Sequence, residues 1–321
     1  MLSILIPTWN NLPYLRLCID GLRRNCSERH EVLVHVNDGS DGTLHWVRQQ
    51  GLPYTHSSGN VGVCFALNQL AAHARGEWVL FLNDDMFCAP GWDTALVAAA
   101  RGSGSRPCFL SSLLVEPRPS RNPLVRFADF GTDPSSFDEK GLLQYAAANR
   151  SADIDGAASQ PTFVRRSDWH LVGGYSPEFS PGMNSDNDFL MKLWLIGCRT
   201  FRVVGSSVVY HFGCKSTQKV RHNKGGPEFL LKWGINQRAF ARNYIARTAR
   251  DDAGSLPGVP VATWSCRLKR LFRSLARYPL SDLQAWEPQL AARLASEAGI
   301  DGDGSGSTDP ATADAPPPPP R

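Results

Sequence analysis

The 321-residue chain has no apolar run approaching the roughly 20 residues that a membrane-spanning helix needs. Stretches such as Val79-Leu80-Phe81-Leu82 stop at a strand's length. Its eight cysteines form no CxxC pair and mostly sit inside apolar runs, so buried reduced thiols are expected rather than a disulfide or zinc framework. Excess charge is also small: 34 Lys and Arg against 30 Asp and Glu leave +4. That suits anionic small molecules or an anionic lipid surface and is too weak to imply nucleic-acid binding. No GxGxxG follows a strand, which argues against a dinucleotide oxidoreductase, and no 20- to 50-residue period points to a solenoid. No basic stretch or small-residue cleavage site opens the chain, so a cytoplasmic protein is expected, peripheral at most on the inner face of a membrane. Apolar residues at 42% and charged residues at 20% are those of a chain that folds.

What is present is alternation. Leu2 to Ile6, Val32 to Val36, Tyr54 to His56 and Trp78 to Leu82 read as strands, separated by helical patterns after Asn10-Asn11, after Gly42, and over Val61 to Ala74. Short strands alternating with helices predict an α/β, Rossmann-like, doubly wound and mostly parallel sheet with helices on both faces, whose ligands lie at the carboxyl ends of the strands. Residues 116 to 160 carry Pro117, Pro119, Pro123 and Pro134 and show no period, so loops over a binding face or an insertion are expected. Asp186 to Ile196 reads as a helix, and Thr200 to Val204 and Ser207 to Phe212 as strands. Gly254 to Pro260 reads as a linker, 262 to 299 as one or two helices, and 301 to 321, with five successive prolines, as a disordered tail. The expected division is 1–230 catalytic, with a nucleotide-binding half (1–115) and an acceptor-binding half (116–230), then 231–300 helical.

Four groups carry chemistry. Asp38, in Asn37-Asp38-Gly39-Ser40 after the second strand, can accept a base imide N–H, or simply make a turn. Asn83-Asp84-Asp85 ends a buried strand; adjacent carboxylates repel, and a divalent cation bridging to a diphosphate relieves that repulsion. Ser185-Asp186-Asn187-Asp188 opens a helix: Ser185 with Asp188 is a capping pattern, which leaves Asp186 as the general base. His211 closes a strand, followed by a basic loop, Lys215 to Lys224, that either closes over a leaving diphosphate or is plain solvated surface.

Over roughly residues 1 to 215 these pieces resemble, in order and spacing, an inverting glycosyltransferase of the GT-A fold, family-2 type. The resemblance rests on Ile4-Leu5-Ile6-Pro7-Thr8-Trp9-Asn10, Asn37-Asp38-Gly39-Ser40, Gly59-Asn60-Val61-Gly62, Gly76-Glu77-Trp78 through Asp85, Val172-Gly173-Gly174-Tyr175, Ser185-Asp186-Asn187-Asp188 and His211. It implies a metal-dependent enzyme that moves a sugar from a nucleoside-diphosphate donor, UDP or dTDP favoured, to a hydroxyl of a glycan or lipid-linked acceptor, using Mn2+ or Mg2+. By the same resemblance Pro7, Thr8 and Asp38 line the base pocket, Asn10 and Asn60 belong to the donor site, and Asp84 lies near the ribose or sugar. Asp85 and His211 hold the metal, and Asp186 is the base. Asn83 and Ser185 replace acids usual at their positions. The alternative is a non-catalytic nucleotide-sugar or glycan-binding module on the same fold.

Near the end, Leu268, Leu271, Phe272 and Leu275 recur at helical spacing among Arg267, Lys269, Arg270, Arg273 and Arg277. Such a helix either lies on an anionic membrane, giving a peripheral contact through 262–280, or packs on the catalytic domain with its arginines in water.

Overall fold

The computed structural model describes residues 1–120, 122–158, 160–213, 224–247 and 258–275. In chain order these form β1 (Leu2–Trp9), α1 (Leu12–Asn25), β2 (Glu31–Asn37), α2 (Thr43–Gln49), β3 (Tyr54–Ser57), α3 (Gly62–His73), β4 (Trp78–Phe81), β5 (Met86–Cys88), α4 (Trp92–Gly102) and β6 (Cys108–Glu116). There follow β7 (Val125–Phe127), α5 (Glu139–Ala148), β8 (Ile154–Asp155), β9 (Thr162–Arg165), α6 (Arg166–Leu171), α7 (Ser185–Leu195), β10 (Thr200–His211), α8 (Gly225–Trp233), α9 (Gln237–Asn243) and α10 (Trp264–Leu275). Residues 215–223 of the basic loop, Cys214, residues 254–257 of the expected linker, and everything expected beyond 275 lie outside the described residues.

One sheet runs β3-β2-β1-β4-β9-β6-β10-β5, with β7 beside β6 and β8 beside β10. The first four strands are parallel, β9 enters antiparallel between β4 and β6, and β5 closes the far edge antiparallel to β10. Helices cover both faces: Leu67, Trp169, Phe189, Trp194 and Phe240 pack on one side, and Leu15, Ile19, Trp46 and Leu96 on the other. Seven cysteines are free, and all but Cys26 are buried. Among the described residues no helix is long and apolar enough to cross a membrane.

Two expectations change in detail. The strands expected at Thr200–Val204 and Ser207–Phe212 are one strand, β10, whose register against β6 shifts between Val204 and Val208, so its two halves show separate periods. Residues 116–160 contain β7, α5 and β8. They fold because Phe130, Phe137, Leu142 and Ala146 pack on Phe87, Tyr210 and Phe212, apolar residues too unevenly spaced to reveal a helix in advance.

The sheet also opens a gap where a ligand belongs. β4 pairs with β1 only from Leu2 to Leu5, whereas β2 pairs with it as far as Trp9. Leu5 points its carbonyl at β4, accepting from Leu82 N–H, so Pro7, two residues on, faces the same side after β4 has ended. A proline there loses no ladder bond.

Candidate active site

The carboxyl ends of β1, β2 and β4, the start of α7 and the end of β10 enclose a cleft of about 430 Å³. Seven of the nine residues expected at the site line it: Pro7, Thr8, Asn60, Asp84, Asp85, Asp186 and His211. Asn10 and Asp38 are not on its wall. Both have left-handed backbones, with φ of 46° and 61°, and Asn10 Nδ2 donates to Asp38 Oδ2 at 2.7 Å. Asp38 Oδ1 also accepts from Ser40 N–H, so this carboxylate ties two loops beside the lining residues Trp9 and Asn37. Asn37 itself is a buried staple: it donates to the Thr8 carbonyl and accepts from Val61 N–H and the Ser57 hydroxyl.

Asp84 and Asp85 leave the buried strand β4 side by side and are themselves buried. Asp84 accepts from Thr8 Oγ1 at 2.6 Å; burial first, then the charge of Asp85, pushes its carboxyl up to about 7. His211 Nε2 lies 3.4 Å from Asp85 Oδ1. Its Nδ1 lies 2.8 Å from Glu116 Oε1 at the end of β6. Burial alone would lower the imidazole, but Asp85 and Glu116 override it and hold it up at about 10. Glu116 belongs to no sequence motif and meets His211 only because β6 and β10 are neighbours. With one ring nitrogen held by Glu116, Asp85 and the other nitrogen, once a cation displaces its proton, would form an oxygen and nitrogen donor pair that fits a Mn2+-like ion.

Asp186, in the first turn of α7, faces the same cleft. Tyr175 Oη donates to its Oδ1 at 3.1 Å. Burial raises its carboxyl to about 6, against hydrogen bonds from Tyr175 and Gln160 that favour the charged form. Tyr175 is fixed in turn, because Asn68 on α3 takes both its N–H and its carbonyl. Gly174 (φ 62°) makes room, since a Cβ there would strike the Asn68 amide.

The capping expectation for α7 is corrected. Asn184, not Ser185, is the cap residue, and it makes no side-chain cap bond. Ser185 Oγ donates to the Gly182 carbonyl. Asp188 is fully buried, paired with Lys232 at 2.8 Å and bonded to Ser176 and Trp233, so it joins α7 to α8. Another His, Cys and acid group, Cys26, His30 and Asp93, comes within 4.8 Å, but at the amino end of β2, away from the cleft. There Asp93 Oδ2 accepts from Ser27 and Glu28 N–H and meets His30 Nε2 at 2.9 Å, tying the turn before β2 to α4.

Residues 3–111 match the model for glycosyl transferase family 2. The chain is 33% identical over 92 residues to an uncharacterized glycosyltransferase, YfnE, of Bacillus subtilis (strain 168), a match covering 27% of this chain and 24% of that protein. It thus spans about a quarter of that relative's length. Among solved structures, S. aureus TarS 1-349 in complex with UDP-GlcNAc superposes with a TM-score of 0.54 at 14% identity, covering 92% of this chain and 80% of the other. GalNAc-T7 with UDP, GalNAc and Mn2+ gives 0.53 at 12% identity, covering 87% and 58%.

Proposed function

We propose that this chain, which residues 3–111 place in glycosyl transferase family 2 and whose fold is GT-A, transfers a sugar, with inversion, from a nucleoside diphosphate to an acceptor hydroxyl. The observation that carries the reading is the convergence of Asp84, Asp85, His211 and Asp186 on one cleft from three separate elements. UDP or dTDP is the favoured donor, and the solved neighbours described with UDP-GlcNAc, and with UDP, GalNAc and Mn2+, support a nucleotide sugar and a divalent cation.

Pro7, Thr8 and Asn60 contact the nucleoside, while the Asn10–Asp38 pair shapes the loops beside it. Asp84, held by Thr8, lies toward the ribose or sugar. Asp85 and His211 would hold a divalent cation, which would supply positive charge to the leaving diphosphate. Glu116 keeps the His211 ring turned toward Asp85. Asp186 accepts the proton of the acceptor hydroxyl as its oxygen attacks the anomeric carbon. The bond from that carbon to the diphosphate oxygen breaks with its electron pair passing to the phosphate, and attack from the opposite face inverts the centre. Residues 1–115 supply the nucleotide side, and 116–230, which contribute Gln160, Met183 and Asp186 to the wall, the acceptor side. The acceptor is a glycan or a lipid-linked glycan.

The test is a thermal-shift panel of nucleoside diphosphates with Mn2+ or Mg2+, followed by donor hydrolysis. A metal-dependent shift with UDP or dTDP and release of the diphosphate are expected. A chain that binds no nucleoside diphosphate is not this enzyme.

A further inference from the structure

We propose that α10 is a docking face for an anionic phospholipid bilayer. A surface helix ordinarily turns its apolar stripe toward the core; α10 is mounted the other way round. Trp264, Leu268, Leu271 and Phe272 recur at i, i+4, i+7 and i+8 and form a single stripe. Trp264 is 76% exposed, Leu271 55% and Phe272 63%. The opposite face, Cys266 and Arg270, is the one that touches the body. Cys266 is fully buried in the core cluster and accepts from Asn236 Nδ2, and the Arg270 guanidinium lies over Gly234 at the end of α8. The helix start is fixed as well, with Thr263 Oγ1 accepting from Cys266 N–H and the Tyr244 hydroxyl accepting from Val261 N–H.

Charge selects the occupant. Arg267 and Lys269 flank the stripe and are exposed, and 258–275 contain no acidic residue. Aromatic and aliphatic anchors with a basic border, held on a rigid base, match the interface of a bilayer bearing anionic headgroups. α8 begins at Gly225 against Met183 of the cleft wall and ends under α10, so one helix about 13 Å long joins the cleft wall to the base of α10. Bilayer binding itself does not depend on the transferase reading.

The experiment is co-sedimentation of the full chain with vesicles of phosphatidylcholine alone or mixed with phosphatidylglycerol. Binding to the mixed vesicles, weakened by added salt, is expected. Leu271→Glu with Phe272→Glu should cut partitioning by at least about tenfold, and Arg267→Gln or Lys269→Gln by about fivefold each, with circular dichroism unchanged. Three results overturn the proposal: no binding of the full chain to mixed vesicles, unchanged binding of the double Glu variant, or a dimer in solution that the double variant dissociates. A fall of several degrees in the melting temperature of the double variant also overturns it, because the stripe would then be covered by the chain itself. Sedimentation is scored without turnover, so failure of sugar transfer would not register as failure here.

Discussion

Asp186→Asn separates chemistry from binding and also tests why the carboxylate is costly to keep. Burial raises this group from 3.8 to about 6, a shift of roughly two units at about 1.4 kcal/mol each, or at most about 3 kcal/mol of penalty on the charged form. Asp186 is partly open to the cleft, which trims that to about 1–2 kcal/mol. The folded state binds the extra proton, so the wild type loses this stability as pH rises from about 4 through about 6. The asparagine variant has no such charge to bury. Its melting temperature should match wild type near pH 4 and exceed it by about 2–6 °C at pH 7.5. Turnover with saturating donor should fall by about 10²- to 10⁴-fold, while nucleotide affinity stays within about twofold if, as proposed, Asp186 serves the acceptor rather than the nucleotide. The wild-type rate should rise with pH through about 6, and the residual rate of the variant should not. A variant that turns over within tenfold of wild type, or that melts below it at pH 7.5, would refute both the role and the electrostatic account.

Chelation by EDTA, or Asp85→Ala, should abolish transfer, measured as diphosphate release; full activity in chelator would remove the cation from the scheme. Glu116→Gln should weaken Mn2+ binding in the presence of UDP by about 10- to 100-fold, read by calorimetry or by electron paramagnetic resonance of free Mn2+. Unaltered affinity would mean that His211 is positioned without it. Asp188→Ala leaves Lys232 without its buried partner and the Trp233 and Ser176 donors without an acceptor, and should cost about 3–5 kcal/mol in denaturant unfolding. Gly174→Ala forces a side chain into a left-handed backbone and against Asn68, and should cost both stability and turnover through Tyr175 and Asp186, seen by melting and by donor hydrolysis.

The first half of the sheet was legible because its information is local. Leu2 to Ile6, Val32 to Val36 and Trp78 to Leu82 are apolar runs between turn residues, broken only by Ser3 and His35, and parallel strands buried on both faces produce that pattern. The acids at the strand ends were legible for a related reason: charge immediately after a buried strand has few structural uses. Asp186 was set apart from Asp188 by a capping pattern that does not form; what separates the two acids in the structure is that Asp188 is tied to Lys232 and Trp233 while Asp186 lines the cleft. What the sequence could not reveal is made by pairing across the fold. Glu116 looks like any acid at the edge of an irregular stretch until β6 lies beside β10 and brings it to His211 across 95 positions. Tyr175 reaches Asp186 only because Asn68, 107 residues earlier, clamps its backbone. Asp38 errs in the other direction: its motif looks like a pocket wall, yet a left-handed backbone turns its carboxylate onto Asn10. Periodicity and motif spacing report which faces are buried and where strands end. The partner of a polar side chain is decided by strand order and by backbone conformation at single residues, and so the groups that tune the site emerge only once the sheet is assembled.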